Sequence, residues 1–472
     1  EQAIQESSKA DTSQAEKALE SLLPEASGSG VNPLTPQQIQ QRLQNAIQQI
    51  RQGAFNDLRS HAVPFNSAPW LGDQGFLVAA LPTTGIQTDV GPSALGPPHF
   101  NRALYNPAVL HIRFTESSTT TSKDSAFLDL TLMPSQGQPE GRRVDVLRSE
   151  FAGDLKQIYR QLSRQESLDV QNPQSPSRRL YSTIFSAIDP ILTQQGITTL
   201  LISADRGLQA VPFAALHNGS RYFGEAFAFS LTPSLALTSL DPPVRAQGKL
   251  LAVGSAVFDG LAPLPLVPTE LDQVGQSAKK DKVLNQEFTP STLMVQAGDH
   301  QYSRVHIATH AEFLPGGPSA SRLYSGTVPI PLSDFVKLRR DRQGSPLDLI
   351  SFSACRTALG DADTELGFVG LALQSGARSA VGTLWYVDDV ATSAYFVQMY
   401  RYLDSGVPKA EALQLTRQAF IRGLVNVQGD RVVGPNGDAL IRGLTPSQQR
   451  RFERGFANPY FWAGIELMGS AW

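Results

Sequence analysis

Five short runs in the second half of the chain, at positions 198–203, 249–254, 303–308, 347–352 and 377–384, are almost continuously apolar and rich in β-branched residues. A strand with one wet face alternates polar and apolar residues, so runs without that alternation have to be covered on both faces. Segments with helical spacing, at 269–278 and 365–375, lie between several of them. This order predicts an α/β architecture: a mostly parallel sheet flanked by helices. No repeat of 20 to 50 residues runs through this stretch, which removes solenoid folds.

The 472 residues exceed what one hydrophobic core usually organises, so a main domain with an N-terminal addition is expected. Residues 1–33 are rich in Ser, Gln, Glu and Ala and close on Ala26-Ser27-Gly28-Ser29-Gly30, the composition of a flexible lead-in. Thr35-Pro36 is an N-cap followed by proline at the first helical position. Ile39, Leu43, Ile47 and Ile50 then form one stripe of an amphipathic helix ending at Arg51. From 54 to 144, apolar runs at 76–81, 108–114 and 127–132 separated by Gly, Pro, Ser and Thr read as a strand-rich region. Helical spacing follows over 145–165 and again over 179–195, where Pro190 kinks or ends the helix. The expected division is a lead-in at 1–33, a smaller α+β N-terminal region at 34–104 and a main domain at 105–472, itself split into 105–245 and a catalytic part at 246–472.

Charge and cysteine usage remove several functions. A formal net charge of -3 provides no field for a polyanion, so no nucleic-acid partner is expected. The longest apolar stretches fall well short of the roughly 20 residues that cross a bilayer, so no membrane-spanning segment is expected. The single cysteine, Cys355, excludes an internal disulfide and any zinc site built on several thiolates. No metal and no cofactor is called for. The sequence starts at Glu1 without an initiator Met, consistent with removal of a signal peptide or upstream segment. A soluble protein, cytoplasmic or exported, is expected.

Two predicted strand ends carry chemistry. One reads Val305-His306-Ile307-Ala308-Thr309-His310-Ala311, the other Leu349-Ile350-Ser351-Phe352-Ser353-Ala354-Cys355-Arg356-Thr357. Parallel sheets put ligands beyond the carboxyl ends of their strands, so His310 and Cys355 meet at one rim if the strands are neighbours. A free thiol is only a few per cent thiolate at neutral pH; an imidazole activates it and later protonates a leaving amine. The backbone N–H groups of Cys355 and Ala311 are candidate oxyanion donors. A lone cysteine at a strand is more often a small buried hydrophobe, and His306, inside the alternating part of its strand, is read as structural.

The segments His306-Ile307-Ala308-Thr309-His310, Ser353-Ala354-Cys355-Arg356-Thr357-Ala358-Leu359-Gly360, Gly367-Phe368-Val369-Gly370-Leu371-Ala372, Gly376-Ala377-Arg378-Ser379-Ala380-Val381-Gly382-Thr383-Leu384-Trp385 and Val387-Asp388-Asp389-Val390-Ala391-Thr392 follow in that order. In this the chain resembles CHAT domains, relatives of caspases and separases often associated with tetratricopeptide repeats. Val211-Pro212-Phe213-Ala214-Ala215-Leu216 and Asn458-Pro459-Tyr460-Phe461-Trp462-Ala463-Gly464 resemble other recurring CHAT segments, so the likeness runs from about residue 105 to the end. It implies a caspase-like α/β/α sandwich, with His310 as general base and Cys355 as nucleophile of a Cys-His dyad. Ala311 stands where the family usually has Gly. A left-handed conformation at that position would cost an alanine about 1 kcal/mol.

In separase-like relatives, acidic residues after the strand corresponding to 377–384 meet a basic substrate side chain. The resemblance therefore implies cleavage after Arg or Lys, with Asp389 preferred over Asp388 as the substrate-binding carboxylate; the alternative is that both cap the following helix. The run Lys337-Leu338-Arg339-Arg340-Asp341-Arg342 reads as an exposed basic loop, where an enzyme selective for basic residues could cut itself. Three functions are weighed: a cysteine endopeptidase acting on a protein substrate under control of a regulatory partner; an inactive CHAT interaction module; and an amide hydrolase or acyl transferase for a small molecule.

Overall fold

A computed structural model describes residues 34–52, 97–116, 124–205, 208–232, 235, 238–241, 248–276, 278–312, 321–326, 328–342, 345–354, 370, 372–373, 375–385 and 388–472. The lead-in at 1–33 and the strand-rich stretch expected at 54–96 lie outside the described residues.

Eleven strands form the central sheet. In chain order they are β1 (Pro107–Glu116), β2 (Ser125–Pro134), β3 (Glu140–Leu147), β4 (Thr199–Ala204), β5 (Ala228–Thr232), β6 (Lys249–Gly254), β7 (Lys280–Leu284) and β8 (Tyr302–Ala308). After a small sheet of β9 (Ala311–Glu312), β10 (Arg322–Tyr324) and β11 (Pro329–Pro331) come β12 (Leu349–Ser353) and β13 (Ser379–Thr383). A second small sheet, β14 (Asn426–Gln428), β15 (Arg431–Val433) and β16 (Ala439–Arg442), precedes the last strand of the central sheet, β17 (Ile465–Gly469). The spatial order is β3-β2-β1-β4-β5-β17-β13-β12-β8-β6-β7.

The sheet consists of two parallel blocks running in opposite directions, with β2 and β3 added antiparallel at the β1 edge. Strands β1, β4, β5 and β17 are parallel, as are β13, β12, β8, β6 and β7, while β17 pairs antiparallel with β13 from Ser379↔Gly469 to Thr383↔Ile465. Gly469 has φ +91°, and a Cβ there would run into the Arg378 carbonyl, so the end of this bridging strand tolerates only glycine. The continuous apolar runs are explained by coverage on both faces. On β8, His306 packs against Phe396 and Tyr400 of one helix, and on β12 Ser351 meets Tyr400 on that face, while Phe352 turns to Phe335 on the other.

The helices that matter below are α1 (Pro36–Arg51), α2 (Arg148–Ser163), α3 (Pro176–Phe185), α4 (Asp189–Gln194), α5 (Val267–Gln273), α6 (Pro290–Gly298), α7 (Val336–Asp341), α8 (Asp389–Asp404), α9 (Lys409–Ile421) and α10 (Pro446–Arg451). None of the described helices is long and apolar enough to cross a membrane. Helix α1 opens with the capping box of Thr35 and Gln38 and buries Ile39, Leu43, Ala46 and Ile50 against the sheet beside β1 and β2. The buried side chains of α1, both blocks and the helices on them form one continuous core.

Three local expectations change. Residues 145–147 end strand β3, so the helix expected from 145 begins at Arg148; Val144 and Val146 alternate with exposed residues as an edge strand does. The helix expected over 179–195 is two helices, because Pro190 takes the first turn of α4 and cannot continue α3. The basic segment 337–342 is the helix α7 and its cap, with Arg342 4% exposed. Its guanidinium donates to the carbonyls of Ala297, Asp299, Tyr302 and Ser345 at 2.6–3.0 Å, so it clamps the end of α6 to the start of β8.

Candidate active site

Strands β8 and β12 are hydrogen-bonded parallel neighbours, with Ile307 opposite Phe352 and Ala308 opposite Ser353. Thr309 N–H donates to the Ser353 carbonyl at 3.3 Å, carrying the pairing one step beyond the strand. Two residues past Ala308 stands His310, half-buried at the carboxyl rim. Two residues past Ser353 in sequence is Cys355, which lies outside the described residues.

The His310 ring is held on two sides. Its Nε2 is 2.8 Å from the Ala262 carbonyl, which can only accept, so Nε2 carries a proton and Nδ1 has the lone pair of the neutral ring. Phe258 lies against the ring with centroids 4.6 Å apart. The Tyr324 N–H donates to the His310 carbonyl at 3.0 Å, and Ala311 pairs with Leu323, so β10 fixes the backbone around the imidazole. Ala311 keeps a negative φ inside strand β9, where alanine is as comfortable as glycine.

His306 points the other way. It is wholly buried, its Nε2 is 2.9 Å from Glu270 Oε1, and the Ser393 hydroxyl donates to Glu270 Oε2 at 2.6 Å. Glu270 thereby ties α5 to β8 and α8, a structural role for His306 as its strand position indicates.

The β13 carboxyl end opens on the same rim, two strands from β8. There the two aspartates part. Asp388 is the N-cap of α8: its Oδ1 accepts from the N–H groups of Val390 and Ala391 at 2.9 and 3.3 Å, and Arg451 of α10 contacts its Oδ2 at 2.8 Å. Burial raises its pKa above the ordinary carboxylate value, against the pull of Arg451 and the two N–H groups. Asp389 is the first helical residue, half-buried, with no hydrogen-bond or ion-pair partner among the described residues. Burial first, then the negative charges of Glu270 and Asp388, push its carboxyl up to about 7.

Four of these features escape sequence reasoning: Phe258 and Ala262 at the imidazole, Glu270 beneath His306, and Arg451 on Asp388. Each reaches the rim from an element distant in sequence. The recurring terminal segment does have a visible purpose. Asn458 caps the turn holding Tyr460, whose carbonyl accepts from the Trp385 indole N–H at 3.1 Å; a Cβ on Gly464 would lie 2.6 Å from that indole. Trp385 leads from β13 into the aspartates. The 211–216 segment is buried, with Phe213 packed on Phe185 and Phe229.

A mixed, mostly parallel sheet covered by helices on both faces makes an α/β/α sandwich, with His310 at the carboxyl end of a central strand. The chain belongs to the CHAT domain family, whose model matches residues 174–470. Strands β1 to β3 and helix α2 precede the matched span, although they share its sheet. No curated protein matches the chain. Among solved structures it is similar to separase in the Saccharomyces cerevisiae separase–securin complex, at 12% identity and TM-score 0.42 over 78% of this chain; it spans 30% of that one. It is also similar to the Arg-specific cysteine proteinase gingipain R, at 10% identity and TM-score 0.37, covering 61% of this chain and 68% of that one.

Proposed function

We propose that this protein is a CHAT-type cysteine endopeptidase that cuts a protein substrate through Cys355 and His310, after a basic residue held by Asp389. The observation that carries the reading is the register of β8 against β12. Ala308 and Ser353 are paired, and each is followed two residues later by one member of the dyad. The His310 contact supports the reading: with Nε2 committed to Ala262, the lone pair of Nδ1 is left to take the thiol proton.

In this mechanism the Cys355 thiolate attacks the scissile carbonyl. The N–H groups of Cys355 and Ala311 receive the developing oxyanion, and His310 returns the proton to the leaving amine. Water then attacks the thioester, with His310 again as base, and releases the new carboxyl terminus. Ala311 brings no backbone strain to this arrangement, so the family's usual glycine is not required. Asp389 is favoured over Asp388 as the specificity carboxylate because Asp388 already holds Arg451 and the helix N-terminus. A regulatory protein partner fits an enzyme of this kind, in which specificity rather than digestion is the output. Helix α7 is a poor self-cleavage site, since a scissile segment has to be extended and Arg342 is locked to four carbonyls.

The test is a proteome-wide digest by the wild-type protein and by Cys355→Ala. Cuts seen only with the wild type, following Arg or Lys, are expected. In parallel, an iodoacetamide-type probe alkylates Cys355 about tenfold faster in the wild type than in His310→Ala, because only the former raises the thiolate fraction above the few per cent of an ordinary thiol at neutral pH. Equal alkylation rates together with identical digests would reject the peptidase and leave a binding module.

A further inference from the structure

Seven large hydrophobic side chains are exposed among the described residues, and three of them, Val257, Leu261 and Val328, at 65, 39 and 48% exposure, stand on the two loops that reach His310 through Phe258, Ala262 and Tyr324. Val257 and Leu261 belong to the loop between β6 and α5, which reads Ser255-Ala256-Val257-Phe258-Asp259-Gly260-Leu261-Ala262-Pro263-Leu264-Pro265. From Val257 to Pro265 none of its residues is buried, although seven of the nine are Val, Phe, Leu, Ala or Pro. Solvated connections are normally polar, and an apolar stretch left open beside a catalytic residue marks a surface that something covers.

The loop is also rigidly held. The Ser255 hydroxyl donates to the Val257 carbonyl at 2.8 Å, Ala256 N–H to Asn285 Oδ1 at 2.8 Å, and Leu264 N–H to the Ala256 carbonyl at 3.0 Å. The turn carrying Val328 is closed by Ser325, whose N–H and hydroxyl both donate to the Val328 carbonyl, at 3.0 and 2.7 Å. The two loops touch: a Cβ on Gly326 would lie 3.2 Å from both Ser255 Oγ and the Val257 carbonyl. Together they make a preformed apolar rim whose inner end is the His310 ring, with Phe258 against its face and Ala262 on its Nε2.

Reaction chemistry says which part of a substrate meets this rim. The imidazole has to deliver its proton to the leaving amine, so it stands beside the residue that follows the scissile bond. Side chains packed on the ring therefore face the leaving-group segment. Asp388 and Asp389, by contrast, lie two strands away at the end of β13. We propose that Val257, Phe258, Leu261 and Val328 form a subsite for a large apolar side chain in the first two residues after the scissile bond. This rests on the peptidase reading and adds a second specificity element to it.

The experiment uses the full chain and a peptide library made from a digested proteome, with Cys355→Ala as the blank. The expected result is enrichment of Leu, Ile, Val, Met or Phe at one of the two positions following each cut. Two synthetic peptides differing only by Leu or Gly at that position then report the preference as a ratio of kcat/KM. In the triple variant Val257→Ser, Leu261→Ser, Val328→Ser that ratio falls about tenfold, as expected for loss of one hydrophobic pocket contact, and Leu261→Met alone keeps it. A general disturbance of the loop would lower both rates and leave the ratio unchanged. Wild-type cuts without apolar enrichment after the bond, or a ratio that the triple variant does not move, overturn this inference and leave the peptidase standing. A wild-type digest indistinguishable from the Cys355→Ala blank overturns both.

Discussion

Asp388 and Asp389 are neighbours of identical chemistry whose surroundings give them different work. Asp388 closes the first turn of α8, a role typically worth about 1 kcal/mol, and carries Arg451 as its counter-ion. Asp389 faces the same helix end with no cation paired to it among the described residues, and its carboxyl, pushed up to about 7, changes charge across the neutral range. A guanidinium entering there binds the ionised form. Raising the pH from 6 to 8 is therefore expected to lower KM for a peptide with Arg before the scissile bond by roughly tenfold relative to the same peptide with Gln; the ratio cancels titration of the dyad. Asp389→Asn removes that pH dependence and reduces the Arg-to-Gln preference about 10- to 100-fold, the worth of a charge-assisted hydrogen bond. A preference for Arg that survives the substitution would assign the role elsewhere. The sequence presents both aspartates as equals. What separates them is Arg451, delivered by α10 from another part of the chain, and no local pattern reveals that contact.

The strands β8 and β12, which lead to His310 and Cys355, are pinned at their amino ends by buried charge. Asp348, just before β12, accepts from Lys409 Nζ of α9 at 2.8 Å and lies 3.7 Å from Arg304 of β8. Burial alone would raise the Asp348 carboxyl; Lys409 and Arg304 overcome it and hold it below the ordinary value. Removing one partner of such a pair strands the other charge. Lys409→Met is expected to cost about 3–5 kcal/mol, read as a lower urea midpoint with an unchanged slope. At this scale the sequence is legible where composition is one-sided: the apolar runs at 198–203, 249–254 and 303–308 coincide with β4, β6 and β8 to within a residue or two. It is misleading where a charged residue is buried. The run 337–342 looks like a solvated turn because nothing local tells that Arg342 meets four backbone carbonyls.

Across the whole molecule, β17 joins two parallel blocks that would otherwise be separate sheets. Leu467 is fully buried opposite Val381, and Leu467→Ala is expected to cost about 2–5 kcal/mol. Because both blocks share one core, amide exchange in β4 and in β12 should accelerate by the same factor. Loss of protection in one block alone would reveal two independently folding units. The family resemblance points to the block of β8 and β12, yet it does not disclose that the blocks run in opposite directions, since orientation depends on which strand occupies the middle of the sheet.

That middle strand is encoded after every other strand of the sheet. While the polypeptide is being synthesised, β5 and β13 emerge with their inner backbone edges unpaired, two sticky seams facing a gap of one slat. A nascent chain therefore leaves the β5 seam open from Thr232 onward and the β13 seam from Thr383 onward, until Ile465–Gly469 follow. The edge of the sheet beside the β13 carboxyl end is therefore closed only when Ile465–Gly469 dock against Ser379–Thr383.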